Sequence, residues 1–380
     1  MAGPALVLSG GGARGAYQVG VLRHIARRHP ELRLPIITGV SAGAINAAFI
    51  ASFRGDLQAA ADSLADRWSS LSTSRVMRTD LPSMLGNAVR VTGTVISGGA
   101  RIAPPVRGLA DTQPLRRFLA ELIDPADIAA NIEEGRLEAL AISATSYRTG
   151  SCVTFVQGPP EAEMWSRFRR ESRPGRIGVD HVLASAAIPL FFPAWSVDGE
   201  YFGDGSLRQT HPLSPAIHLG ADRLLAISPR FIPGESGDLG SDSYPSTARI
   251  LGLMLNSIFL DQLDSDAEKL ERVNELLRRI EPKDRWRVAE REVELLVIRP
   301  SRDIGRMASR YERELPRTLR HLIRGLGTRR GSGSDLLSYL LFVPQFLSDL
   351  IELGERDAEL NRARIDRFIR GTMDAPEDHT

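Results

Sequence analysis

Runs of apolar residues broken by glycine turns give the chain its first legible pattern. Ala5-Leu-Val-Leu8 is four apolar residues in a row, as a strand buried on both faces reads, and glycines follow at once. Ala16–Arg28 then places Val19, Leu22 and Ile25 among polar partners at helical spacing, and Pro30 stops the run. Leu34–Val40 predicts a second buried strand, and Ala42–Phe53 a second helix rich in small residues. Strand, glycine turn, helix, strand, sharp turn, helix is the pattern of a parallel α/β sheet.

Further along, residues 54–135 read as mostly helical, with a looser stretch at Gly86–Pro105 and a capped helix over Leu115–Ile123. Leu137–Ser146 and Cys152–Val156 return to strand composition. Val182–Ala187 is helical, Trp195–Gly205 a tight hairpin and Arg223–Ser228 another buried strand. From about Thr247 the pattern predicts helix to the end, broken by glycine and serine at Gly325–Ser334 and followed by a disordered tail over 374–380. The apolar stretch Leu336–Leu350 contains Pro344 and is too short to span a bilayer. It fits either the core or a dimer interface, and the oligomeric state stays open.

Composition narrows the function classes. With 48 basic and 47 acidic residues the net charge is +1, so no overall field recruits nucleic acid. The one cysteine, Cys152, excludes an internal disulfide, and no Cys/His cluster has zinc spacing, so neither a metal nor a cofactor is expected. The first residues lack the basic stretch of a secretory signal, which predicts a cytoplasmic protein with peripheral membrane contact at most. All but two of the basic residues, Lys269 and Lys283, are arginine.

Two glycine motifs carry the chemistry. Gly10-Gly-Gly-Ala-Arg-Gly15 follows the first strand and opens a helix, a position that also fits a dinucleotide fingerprint. A dinucleotide site needs an acidic residue ending the second strand, and that strand ends in Gly39-Val-Ser-Ala-Gly43 instead. This is G-x-S-x-G, which lifts Ser41 clear of the backbone on a strand-to-helix turn. Adjacent parallel strands put both motifs at one end of the sheet, where Gly10, Gly11 and Gly12 can offer amides to an oxyanion. Arg14 either locks this loop or meets an anionic head group.

A serine nucleophile needs a base. Asp204 in Gly203-Asp-Gly-Ser206 projects from a glycine turn and is the first choice. Asp198 is its rival, although Asp-Gly at 198 suits a hairpin turn better. His211 leaves a Ser–His–Asp esterase open, and a silent lipid- or nucleotide-binding protein is the alternative of a different class.

The sequence resembles the patatin-like phospholipase family over roughly residues 4–230. The resemblance rests on Gly10–Leu22, Gly39–Gly43, Ser185-Ala-Ala-Ile-Pro-Leu-Phe-Phe-Pro193 and Asp198-Gly-Glu-Tyr-Phe-Gly-Asp-Gly205, in order. It implies a three-layer α/β/α sandwich with a mainly parallel sheet, a Ser41–Asp204 dyad and hydrolysis of lipid acyl esters without a metal. Gly10–Gly12 then form the oxyanion hole, with Arg14, Gly15, Gly39, Gly43, Gly205 and Ser206 as motif support. It sets a catalytic domain at 1–230, with a helical insertion at about 54–135, and a helical region at 231–373 packed upon it. Ser206 departs from the family, which usually has Gly or Ala there. Its hydroxyl can bond Asp204 and lower its basicity.

A free carboxylate near pKa ~4 is a weak base for an alcohol, so the site must be dry. Phe191, Phe192, Trp195 and Phe202 are the candidate lining. Two charge stripes in the C-terminal half, Asp261–Glu275 and Arg302–Arg324, read as helical faces that are solvated, pair together, or dock the arginines on anionic lipid.

Overall fold

The computed structural model describes residues 3–78, 108, 110–233, 245–325 and 334–371. The looser stretch Gly86–Pro105, the tail 374–380 and most of the Gly325–Ser334 break lie outside them.

The sheet is built on β1 (Ala5–Leu8), β2 (Ile36–Val40) and β3 (Ala139–Ser146), all fully buried. Parallel strands β9 (Arg223–Ile227) and β10 (Glu294–Ile298) extend it beyond β1, giving the order β10-β9-β1-β2-β3. On the other side β4 (Cys152–Gln157) is antiparallel to β3 and parallel to β6 (Arg170–Pro174), and β5 (Ser166–Arg167) closes the edge. Side-chain alternation divides the core between two faces. Leu6 and Leu8 pack beneath α1 (Gly15–Arg28), α2 (Ala42–Ser52) and α3 (Leu57–Ser69), while Ala5 and Val7 face the helices Ser214–His218 and Asp261–Arg279. Three layers result: helices, a mixed and mostly parallel sheet, helices.

The C-terminal half departs from its expected form in two places. It is not helical throughout, because Glu294–Ile298 joins the sheet as β10; a four-residue apolar run flanked by charge does not separate strand from helix by periodicity. The arginines from Arg302 to Arg324 do not share one helical face either. Arg302 precedes the helix Ile304–Ala308, and the rest fall on that helix, a 3₁₀ turn Ser309–Glu314 and the helix Arg317–Gly325. Pro316 lacks the N–H that continues a helix. The acidic stripe does occupy one helix, but Asp261 pairs with Arg230 and Asp264 with Arg230 and Arg299, not with the arginine run.

Leu336–Leu350 packs on the core. The helices Ser334–Leu340 and Pro344–Leu360 meet at 100°, and the second lies along α1, where the backbone of Ile351 comes so close to Gly20 that a Cβ there would sit 2.0 Å from its carbonyl oxygen. Among the described residues no single helix is long and apolar enough to cross a membrane.

Candidate active site

Strand β3 brings the two halves of the site together. Along one edge it pairs with β2 as far as Val40↔Ser143, and then with β8 (Glu200–Asp204) from Ala144↔Asp204 onward. The strand before Ser41 and the strand ending at Asp204 therefore abut end to end on consecutive β3 residues. Gly205 fills the seam: a Cβ there would lie 2.1 Å from the Ser143 carbonyl oxygen and 2.7 Å from the Val40 side chain.

Ser41 sits between β2 and α2 at φ 57°, ψ −126°, a left-handed conformation costing a non-glycine residue roughly 1–3 kcal/mol. Its hydroxyl makes no cap bond to the helix it precedes, so the plain N-cap role is not the one it plays. Gly43 allows the turn: a Cβ at this position would be 2.2 Å from the Leu8 carbonyl oxygen, so α2 can approach β1 only with glycine here. Gly39 is pressed the same way, 2.5 Å from the Gly43 carbonyl. The Ser41 N–H donates to Ser185 Oγ (2.9 Å), and Ser185 Oγ donates to the Ser143 carbonyl (2.7 Å). Ser143 Oγ in turn bonds Thr154 Oγ1 and accepts from Gln209 Nε2. This buried hydroxyl network was not legible in the sequence. Ser185 lies in a motif noted there, but small polar residues in apolar runs carry no local sign of a distant partner.

Asp204 is completely buried. Its backbone is fixed by an N–H bond to the Ala187 carbonyl and by Thr145 Oγ1 donating to its own carbonyl. Carboxyl Oδ1 accepts the Ser206 N–H at 2.9 Å. Burial pushes the carboxyl up to about 7, against the hydrogen bonding of Ser41 and of the Ser206 amide and hydroxyl, which pull it down. Ser206 thus acts in the direction foreseen without cancelling the effect of burial. The Ser41 and Ser206 hydroxyls are near enough to act on the carboxyl, yet among the described residues neither Asp204 Oδ2 nor Ser206 Oγ has a partner at full hydrogen-bonding geometry. The contact is therefore loose, as catalytic contacts commonly are before substrate arrives.

The glycine loop passes over this pair. A Cβ on Gly10 would stand 3.1 Å from Ser41 Cβ and 2.7 Å from Ser206 Oγ, so Gly10 touches both sides of the site. Gly11 packs against Pro229, and Gly15 opens α1 against Ala42. Gly12 has φ 58°, and a Cβ there would be 2.3 Å from the Tyr339 carbonyl oxygen, so the helix Ser334–Leu340 holds the loop from above. Arg14 completes that clamp. It is buried, donates to Ser338 Oγ (2.7 Å) and Asp335 Oδ1 (2.8 Å), and stacks 4.5 Å over the Tyr339 ring. Arg14 locks the loop through its Nε and Nη2.

Beside Ser41 lies a small apolar cavity of about 30 Å³, walled by Ile45, Trp68, Leu71, Phe118, Ile188 and Phe342 among others. Of the four aromatic residues expected to line it, only Phe192 does. Phe202 is core, edge-on to Phe155; Trp195 donates to Asp180 Oδ1; Phe191 packs on the core from the side. The lining instead comes from α2, α3 and the helices flanking residues 79–107. Larger cavities of about 800 and 900 Å³ open at the opposite end of the sheet, around Leu34, Phe53 and Asp127, far from this chemistry.

The rival groups lie elsewhere. Asp198 and Gly199, at φ 49° and 80°, form the two-residue hairpin turn between β7 (Trp195–Val197) and β8. His211 bonds Thr210 Oγ1 and is held below its ordinary pKa by partial burial and by the positive charges of Arg170 and Lys269, and among the described residues no carboxylate bonds it as a triad base would require.

A three-layer α/β fold thus sets a strained, buried serine on a strand-to-helix turn beside a buried aspartate. The patatin-like phospholipase family profile matches residues 6–217, more than half of the chain. The chain belongs to the patatin-like phospholipase family. No curated protein sequence matches. Among solved structures the chain is similar to human GIVD cytosolic phospholipase A2 in complex with methyl gamma-linolenyl fluorophosphonate (13% identity, TM-score 0.46, covering 98% of this chain and 59% of that one). It is also similar to VipD from Legionella pneumophila (12%, 0.31, 93% and 67%) and to the type III effector protein ExoU (16%, 0.29, 89% and 77%). The chain thus spans under two thirds of the length of the human protein.

Proposed function

We propose that this protein hydrolyses the acyl ester bonds of lipids, of the phospholipid or lysophospholipid class, through a Ser41–Asp204 dyad. The observation that carries the reading is a strained serine placed one β3 residue from a fully buried carboxyl whose pKa stands near 7.

Ionised Asp204 accepts the Ser41 proton as Oγ attacks the ester carbonyl. The carbonyl oxygen becomes an oxyanion facing the Gly10–Gly12 amides and the positive end of α2, each such donor typically contributing roughly 3–4 kcal/mol to the transition state. Collapse breaks the ester C–O bond, and Asp204 returns the proton to the departing alcohol. Water then attacks the acyl-serine carbon and gives its proton to Asp204; collapse breaks the bond to Ser41 Oγ, which takes that proton back from Asp204 as the fatty acid is released. The apolar wall from Ile45 to Phe342 suits an acyl chain, but a cavity of about 30 Å³ holds no more than a water-sized group, so side chains there must part for it.

Fluorophosphonate labelling tests the reading. The protein should label with one equivalent, Ser41→Ala should not label, and His211→Ala should label and turn over as the wild type does. Labelling that survives Ser41→Ala refutes the dyad; loss of activity in His211→Ala restores the triad.

A further inference from the structure

Large apolar side chains exposed to water collect at one end of this molecule. β3 runs toward the site, and both β4 and β6 start at that same end, so the 147–151 turn and the 168–169 turn stand there. The β7–β8 hairpin projects past it. These three turns expose Tyr147, Phe168 and Tyr201, with Phe168 86% accessible. Tyr147 and Tyr201 are joined by a backbone bond, and the carbonyl beside Phe168, that of Arg169, accepts the Cys152 N–H of β4. Across the site mouth, the helix Thr247–Phe259 follows β9 from the same end and touches Gly10 through Phe259. Its inner face, Ala248 and Gly252, is buried, and its outer face exposes Ile250, Leu253 (71%) and Met254. A helix apolar on both faces is out of place in water.

Charge identifies the occupant. Phe168 is flanked by Arg167 and Arg169, neither of which pairs with a carboxylate among the described residues, and Arg169 stacks 5.2 Å over the Phe168 ring. Arg148 and Arg173, close by, are held by Glu200. An aromatic tip between arginines that no described carboxylate neutralises matches an interface that is apolar below and anionic above.

We propose that the site-bearing end docks on an anionic phospholipid bilayer, with Phe168 and the Ile250/Leu253/Met254 face entering the acyl boundary and Arg167 and Arg169 meeting phosphates. This placement rests on the lipid ester hydrolase reading and supplies what that reading lacks, the surface that presents Ser41 to lipid.

The test is sedimentation of the full chain with vesicles of phosphatidylglycerol and phosphatidylcholine against phosphatidylcholine alone, alongside turnover of a soluble short-chain ester. Wild type should prefer the anionic vesicles. Phe168→Ser with Arg169→Gln, and separately Leu253→Ser with Met254→Ser, should weaken that binding about tenfold or more and leave soluble-ester turnover intact. Trp286→Ser, exposed at the far end, should change neither. The proposal is overturned if wild type ignores anionic vesicles, if the paired variants bind as wild type does, if Trp286→Ser loses as much, or if the variants alter only the mass in solution, which marks a second copy as occupant. Absent soluble-ester turnover in wild type strikes the hydrolase reading instead, and vesicle binding still decides the docking.

Discussion

Replacing Asp204 by asparagine should inactivate the protein and stabilise it, by an amount that depends on pH in a calculable way. The carboxyl stands at about 7 in the fold against 3.8 for an unburied aspartate. Between those values the folded chain keeps a proton that the unfolded chain releases, so folding stability falls as pH rises through that window. Above pH 7 the full difference, ~4 kcal/mol at 1.36 kcal/mol per tenfold change in the proton equilibrium, weighs against the wild type. The amide of Asp204→Asn cannot ionise and keeps an oxygen for the Ser206 N–H. The stability gap between variant and wild type should therefore be near ~4 kcal/mol at pH 9, shrink to about 1–2 kcal/mol at pH 5, and vanish toward pH 4. Thermal or urea unfolding at several pH values reads the gap. With Asp204 as the proposed base, kcat/KM should rise tenfold per pH unit up to about 7 and level above it, leaving roughly 1% of the plateau at pH 5. A gap that does not change with pH, or a flat profile from pH 5 to 8, refutes both the burial argument and the role of Asp204 as base.

Three further substitutions probe the supporting structure. Ser206→Ala keeps the backbone donor to Asp204 but removes the hydroxyl that lowers its pKa, so the pH profile should move to higher pH with an unchanged plateau, measured as kcat/KM from pH 5 to 10. Ser185→Ala orphans both the Ser41 N–H and the Ser143 carbonyl and should destabilise by about 2 kcal/mol in urea unfolding, with kcat falling more than KM rises as the elbow loosens. Arg14→Lys should cost ~2 kcal/mol, because a point charge cannot stack on Tyr339 and reach Ser338 and Asp335 together; unfolding midpoints equal to wild type count against the clamp.

The elements nearest Ser41 were the most legible. The strands Ala5–Leu8 and Ile36–Val40 and the helices behind them announce themselves by apolar runs punctuated with glycine, where backbone sterics leave few alternatives. Asp198 was separable from Asp204 for a similar reason: Asp-Gly at a two-residue turn is a local signal. Long-range features were not legible. The β10 strand is recognisable only from its place beside β9, and the cavity lining only from how α3 and the helix Gln113–Leu122 fold back over α2. The arginine run from Arg302 satisfied helical spacing on paper, yet Pro316 and a 3₁₀ turn divide it.

Ser41 and Asp204 lie far apart in sequence, and it is this fold, not a local motif, that brings the proposed pair together. Neither residue touches the other through its own element; each is the terminus of a strand that borrows the same edge of β3, one up to Ser143 and the other from Ala144. A register slip of one residue on either strand turns every side chain to the opposite face and separates the pair. Register here is held by what packs against the seam: Gly205 under the Ser143 carbonyl, Ser185 bridging Ser143 to the Ser41 amide, and Thr145 on the Asp204 carbonyl. The strain at Ser41 and the charge buried at Asp204 both oppose folding, and only a seam fixed this firmly can keep the two side by side.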